Sequence, residues 1–364
     1  MKNILITGGP VHCNLDAVKI ITNRFRGGLI AELADDLLSK DVKVSYVCAS
    51  RLGVKQPSSK PNLLIYEHSG IADYQRIVLE LAPKMDAVVL GAAVANLIPL
   101  EPFKGKFPSH NFKPGDVIPI NFTIAPRIID QVKKIAPRAH LFGFKLLSNV
   151  HHEELIRAAY EVVLASGADA VFANDTGRLV QKYAVTKERG LHPIMQQELA
   201  EWIWEMVNDL HYHTLLADTR PVSVAAQSKI RELINQFSSK FRPVENGIIF
   251  GTIAVRQESG FLTTGRGKRE LETLVNVLRV NHNSLEVTVA GEMKASLNAP
   301  LLAKIFENPA VDYIIHYHQQ ELGLPTLPYA PPGTVRDTDR RKDTSFNIKG
   351  HGCILLFNKD GRRL

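Results

Sequence analysis

Cysteine is scarce in this chain: Cys13, Cys48 and Cys353 are the only three among 364 residues. An odd number at such wide separations excludes a disulfide framework and points to a reducing compartment, so a cytoplasmic location is expected. Long apolar runs are missing too. No segment approaches the ~18 consecutive apolar residues that span a bilayer, and no membrane partner is expected. The opening MKNILITGG passes from a short apolar run into glycine and lacks the cleavage site of a secretory leader. There is no internal repeat and no low-complexity tract, so repeat and collagen-like architectures are excluded.

Excess charge is modest. Lys and Arg number 44 against 37 Asp and Glu, a net charge of +7. The basic residues are scattered, and the densest run, Arg336 to Lys342, is broken by aspartates. Nucleic acid is therefore not an expected partner. A solvated basic surface and an attraction for small anions such as phosphates both fit.

What is present is an alternation of strand and helix signals in the first half. Short apolar runs at Lys2 to Thr7, Val42 to Cys48, Ala87 to Ala93, Ala139 to Phe144 and Ala170 to Asn174 read as buried strands. Helical spacing covers Gly28 to Lys40, Glu153 to Ser166 and Pro193 to Asp209. This order predicts an α/β fold, a Rossmann-like doubly wound, mainly parallel sheet. ADTRPVS, Ala217 to Ser223, reads as a linker and Val224 to Phe241 as an amphipathic helix. Strands at Gly247 to Arg256, Gly260 to Thr264, Ser284 to Ala290, Asp312 to His318 and Cys353 to Phe357 follow, with one helix at Pro300 to Glu307. They predict a second α/β domain with a mainly antiparallel sheet. The expected domains are 1–216 and 222–364, in line with a chain too long for one core.

Gly8, Gly9 and Pro10 follow the first strand, where glycines let backbone N–H groups approach an anion. A tight turn needs glycine equally. The wider order is ILITGGPV, LDAVKIITN, GAAVAN, KGK, LFGFKLLSN and ADAVFAND. Over about residues 1–210 this resembles the phosphopantothenoylcysteine synthetase (DFP) family. The resemblance implies a homodimer or higher homo-oligomer that binds phosphopantothenate, cysteine and a nucleotide. It also implies CTP or ATP with Mg²⁺ activating the phosphopantothenate carboxylate as an acyl-nucleotide, which the cysteine amine attacks. It assigns catalytic roles to Asn23, which steadies the acyl-nucleotide, and to Lys106, a mobile-loop lysine on the nucleotide phosphate. Gly8, Gly9, Ala92, Ala93 and Asn96 fall in its binding motifs. Ala125, Pro126, Arg127 and Ile128 match a segment lining the base pocket, Phe144 packs near the base, and Asn174–Asp175 close a strand end. Where the family carries Asp this chain has Asn96, and Val162 and Ser166 stand where bacterial members have two lysines. No flavin-binding half is visible, so FMN is not expected.

In the second half, His316 and His318 are two apart on a predicted strand and so share a face. His351 precedes the last strand. Three histidines with an open fourth position is a catalytic zinc pattern, and two half-buried polar histidines on a strand is the plainer reading. GIIFGTIAVR, GFLTTGRGK, LLAKIFENPAVDYIIHYHQ and GHGCILLF resemble the class II aldolase/adducin family over about residues 222–364. That resemblance implies zinc held by His316, His318 and His351. Leu297 occupies the position of the family's acid/base glutamate, and Leu cannot move a proton. Three functional expectations stay open: a ligase in the first half, a zinc-dependent lyase or isomerase in the second, and a binding protein built from two enzyme folds.

Overall fold

Lys2–Thr7 (β1) is buried from Ile4 onward, because parallel strands covered on both faces need apolar side chains at every position. In the computed structural model, which describes residues 1–50, 53–58, 60–241, 243 and 247–364, β1 pairs in parallel with Val42–Ala49 (β2) and Ala87–Leu90 (β4). Leu63–His68 (β3) extends one side. His140–Leu147 (β5), Ala170–Asp175 (β6), Gln181–Thr186 (β7) and Leu191–Met195 (β8) extend the other. The order is β3-β2-β1-β4-β5-β6-β7-β8, parallel through β6 and antiparallel over the last two steps. Strand order reverses between β1 and β4, where doubly wound sheets bind ligands outside their carboxyl ends.

Gly28–Leu38 (α1) turns Ile30, Leu33, Ala34 and Leu37 to the sheet. Ile71–Leu81 (α2), Ile129–Ile135 (α3) and His152–Ser166 (α4) complete the crossovers, and Leu199–Asn208 (α5) follows the β7–β8 hairpin. The expected helix from Pro193 begins only at Leu199. Pro193 lies in β8 opposite Tyr183, on the outermost strand, where a missing N–H breaks no further pairing.

Among the described residues the sheet of the second unit has nine strands: His213–Ala217 (β9), Thr252–Arg256 (β10), Phe261–Thr264 (β11), Leu274–Asn281 (β12), Glu286–Ala290 (β13), Tyr313–Tyr317 (β14), Thr326–Leu327 (β15), Phe346–Ile348 (β16) and Gly352–Phe357 (β17). Their order is β9-β13-β12-β11-β10-β14-β17-β16-β15. Pairing is antiparallel except for β9–β13 and β15–β16. Val224–Phe237 (α6) packs Ile230 and Leu233 against Ile253, Ile315 and Leu355. Ala299–Phe306 (α7) packs Leu301 and Ile305 against Val277, Ile314 and Ile354 on the opposite face. Adjacent residues Ile314 and Ile315 thus serve two different cores, which explains the unbroken apolar run in an antiparallel strand.

The chain divides by its contacts into Met1–Val207 and Asn208–Leu364. This moves the expected limit of the first domain back from 216. β9 pairs with β13 in parallel register, His213 opposite Glu286 through Ala217 opposite Ala290, so residues 208–217 belong to the second unit.

Candidate functional site

In the first unit a cleft of about 520 Å³ opens outside the carboxyl ends of β4 and β5. Its walls collect Asn23, Ala92, Asn96, the segment Ala125 to Ile128 and Phe144 from four separate stretches of chain. Backbone bonds fix the geometry. Ala93 N–H donates to Gly9 O at 2.9 Å, and Ala125 N–H to Asn96 O at 2.8 Å. Asn23 Nδ2 donates to Ala93 O at 3.0 Å, tying the loop before α1 to the loop after β4. Phe144 tilts against Phe172 on β6 with ring centroids 5.1 Å apart.

Three polar wall residues were not singled out by the sequence: Tyr74, Lys145 and Glu161. Tyr74, on α2, is buried and donates its hydroxyl to Thr7 Oγ1 at 3.0 Å. Burial pushes that hydroxyl up to about 12, so it remains a donor at neutral pH. Glu161 and Val162 enter from α4. Ser166, one turn on, does not line the cleft: it is buried, and its Oγ donates to Val162 O at 2.6 Å. Arg127 at the mouth pairs with Asp130 at 3.4 Å.

Other expected residues lie outside these walls. Gly8 and Gly9 are buried. Gly8 N–H donates to Val47 O, and a Cβ on Gly8 would sit 1.9 Å from Tyr46 Oη. A Cβ on Gly27 would sit 2.6 Å from Gly9 N. Gly8 thus leaves room for the Tyr46 side chain, and Gly27 lets its backbone pack on that of Gly9. Asn174 is buried, with Nδ2 donating to Phe172 O at 2.9 Å. Asp175 accepts N–H bonds from Gly177 (2.7 Å), Val150 (3.0 Å) and Asn149 (3.2 Å), and these amides hold its carboxyl below the usual range. It ties the loop after β5 to the loop after β6. Lys106 is exposed on a loop whose flanking residues bond to residues 15–17.

In the second unit the three histidines converge. One ring nitrogen each from His316, His318 and His351 lies within 4.8 Å of the others. Ring centroids are 5.1 Å apart for His316 with either partner and 4.5 Å for His318 and His351. His316 is 1% exposed, and its Nδ1–H donates to Cys353 O at 2.8 Å. That bond sets the tautomer and leaves Nε2 as a buried lone pair. Burial lowers the imidazole to about 4, the Lys268 charge adding to this against the Cys353 bond, so the ring is neutral. A neutral imidazole fixed by a carbonyl through its other nitrogen is how metal-ligating histidines are held. Leu297 lines a small void beside Arg266 and Ser296. Among the described residues that line this void there is no carboxylate.

The profile of the DNA/pantothenate metabolism flavoprotein C-terminal domain matches residues 1–207. The chain is 28% identical over 217 residues to the coenzyme A biosynthesis bifunctional protein CoaBC of Thermococcus kodakarensis, covering 57% of this chain and 51% of that protein. It is 24% identical over 220 residues to the protein of the same name from Methanocaldococcus jannaschii, covering 57% and 50%. The chain therefore spans about half the length of the curated relatives it matches. Among solved structures, the DNA/pantothenate metabolism flavoprotein from Streptococcus pneumoniae superposes with a TM-score of 0.50 at 25% identity, over 56% of this chain and 97% of that one.

Proposed function

The chain belongs, through residues 1–207, to the DNA/pantothenate metabolism flavoprotein C-terminal domain family, and from that premise we propose that its first unit is a phosphopantothenate–cysteine ligase of coenzyme A synthesis. The observation that carries this reading is the cleft itself, which joins Asn23, Ala92, Asn96, Ala125 to Ile128 and Phe144 where a doubly wound sheet takes its ligands. The chemistry starts from a carboxylate, a poor electrophile until a nucleoside monophosphate is attached. Asn23 spends one N–H on Ala93 O and keeps a second N–H and its carbonyl oxygen, neutral groups that hold an acyl-nucleotide without attacking it. Lys106 and Mg²⁺ supply cations for the charge that builds on phosphate. The nucleotide is CTP or ATP, and the working form is a homodimer or higher homo-oligomer in the cytoplasm. Purified protein given phosphopantothenate, cysteine, Mg²⁺ and either nucleotide should release pyrophosphate. Folded protein that releases none with any nucleotide overturns the reading.

The second unit supports a separate reading, zinc held by His316, His318 and His351 in a class II aldolase/adducin-like domain, because the His316 Nδ1–H bond to Cys353 O presents Nε2 to the cluster. The ion would supply a Lewis acid for a carbonyl oxygen. With Leu297 at the acid/base position, this unit is a metal-holding site rather than an aldol lyase. Zinc content falling from one per chain to near zero in His316→Ala is the expected result. Equal zinc in variant and wild type ends the reading.

A further inference from the structure

Asn23 and Lys106 stand far apart in the chain, and one buried carboxylate links the segments that carry them. Cys13–Asn14 and Ile20–Ile21 form a short antiparallel hairpin that runs directly into Asn23. At its tip the Asp16 side chain has no exposed surface, while Lys19 beside it is about half exposed. Asp16 Oδ1 accepts the N–H of Val18 at 2.7 Å and that of Lys19. Asp16 Oδ2 accepts the Lys19 ammonium at 3.1 Å and the N–H of Phe107 at 3.0 Å. The Lys19 amide, then the Phe107 and Val18 amides against the opposing cost of burial, hold this carboxyl well below the usual range.

The contact continues on both sides of Lys106. Ala17 N–H donates to Gly105 O at 3.0 Å, and Phe103 N–H to Leu15 O at 3.0 Å. The Lys19 ammonium lies 5.8 Å from the Phe107 ring centre. Phe107 in turn meets Phe103 edge-on at 4.8 Å and stacks on Phe112 at 5.3 Å. The backbone on each side of Lys106 is thus pinned to the hairpin, and its side chain is left exposed.

We propose that Asp16 is the positioning residue for Lys106: its carboxylate clasps the Lys106 loop to the hairpin that leads into Asn23, so that the two groups are presented together. This rests on the ligase reading for its catalytic consequence, but the clasp has a readout of its own.

Asp16→Asn separates the two. Oδ1 holds two amides, so the substituted nitrogen takes the place of Oδ2, where it repels the Phe107 N–H and the Lys19 ammonium. Hydrogen exchange on the full chain should then quicken at Phe107 by about tenfold or more, as for a lost charge-assisted bond. Val18 and Lys19 should stay protected, and the far-ultraviolet circular dichroism should match wild type. For pyrophosphate release, kcat should fall about tenfold with the KM for cysteine unchanged. In a Lys106→Ala background, Asp16→Asn should cause no further loss, because the clasp acts through Lys106. Unchanged exchange at Phe107 overturns the clasp whatever the activity. Faster exchange with full kcat, or additive losses in the double variant, overturns the positioning role. Wild-type protein without turnover rejects the ligase reading, and the positioning role with it, while exchange at Phe107 still decides whether the clasp exists.

Discussion

The two units hold their candidate groups by opposite means. In the second, His316 lies in β14, His318 just past its end, and His351 just before β17, and these strands pair directly, His316 opposite Ile354. Pairing of these strands brings together the ends that carry the rings. In the first, Asn23, Ala92, Asn96 and Ala125 to Ile128 reach the cleft from loops, beside Phe144 of β5 and Glu161 and Val162 of α4. The places of the loops depend on glycine backbones in contact, on Asn23 reaching Ala93 O, and on one buried carboxylate. A site hung on paired strands has its geometry repeated along a ladder. A site built largely from loops rests on a few contacts, and losing one should matter more.

The largest expected effect tests that contrast on two glycines, one near each site. Gly27 has φ +85°, and a Cβ there would meet Gly9 N at 2.6 Å. Gly27→Ala should destabilise the protein by ~3 kcal/mol or more and abolish nucleotide binding, since strain adds to a backbone clash. Gly267, at φ +65° in the Thr264–Gly265–Arg266–Gly267 loop, has nothing among the described residues within 4 Å of an added Cβ. Gly267→Ala should cost ~1 kcal/mol, the conformational penalty alone. Urea unfolding of both variants measures the difference. Equal costs would remove the distinction.

The same contrast explains what could be read before the fold was known. Buried parallel strands announce themselves as apolar runs, so β1, β2 and β4 to β6 were legible. β8 was not, because Pro193 in an edge strand resembles a helix start. β9 was not, because His213–Ala217 is a half-exposed edge strand whose partner lies some seventy residues away. His316 and His318 were legible as a pair from a period of two. Tyr74, Lys145 and Glu161 gave no signal, because their arrival at the cleft depends on how α2 and α4 lie on the sheet. For Lys106, family likeness supplied a role, and the loop's attachment to Asp16 is visible only in three dimensions.

Acid and alkali should also tell the units apart. Lys268 is 4% exposed, and its ammonium donates to Gly251 O at 2.6 Å and Gly265 O at 3.5 Å. Burial lowers it from 10.5 to about 8. Between those values the unfolded chain binds more protons than the folded one, so stability contributed by this group rises with pH across that window, by roughly 3 kcal/mol in all. Below pH about 8 the penalty is fully present. Asp169 in the first unit behaves oppositely. Burial raises it, but Lys187 at 2.6 Å and Lys133 at 2.9 Å overcome that and lower its carboxyl. Its contribution is present above the ordinary carboxylate range and is lost as pH falls through the lowered value. Urea midpoints against pH should diverge between wild type and Lys268→Met from pH 8 to 10.5, with wild type gaining. Parallel curves would mean that Lys268 carries no buried-charge penalty.

The smallest expected effect asks whether the cleft of the first unit can regain what its sequence lacks. The family resemblance implies lysines at the positions of Val162 and Ser166, yet of the two only Val162 lines the cleft. An ammonium at 162 would reach into that space beside Glu161, while Lys145 already stands on another wall. A charge-assisted bond to a phosphate contributes ~1.5–3 kcal/mol, less the attraction that Glu161 diverts. Val162→Lys should therefore tighten CTP or ATP binding about tenfold, measured by calorimetric titration with Mg²⁺. Ser166→Lys should not, because position 166 is buried and its hydroxyl is bonded within α4; that variant should lose stability instead. If Ser166→Lys tightened binding as much as Val162→Lys, the ligand would have to reach one turn further along the same face of α4. The site would then extend beyond the cleft enclosed by Asn23, Tyr74 and Phe144.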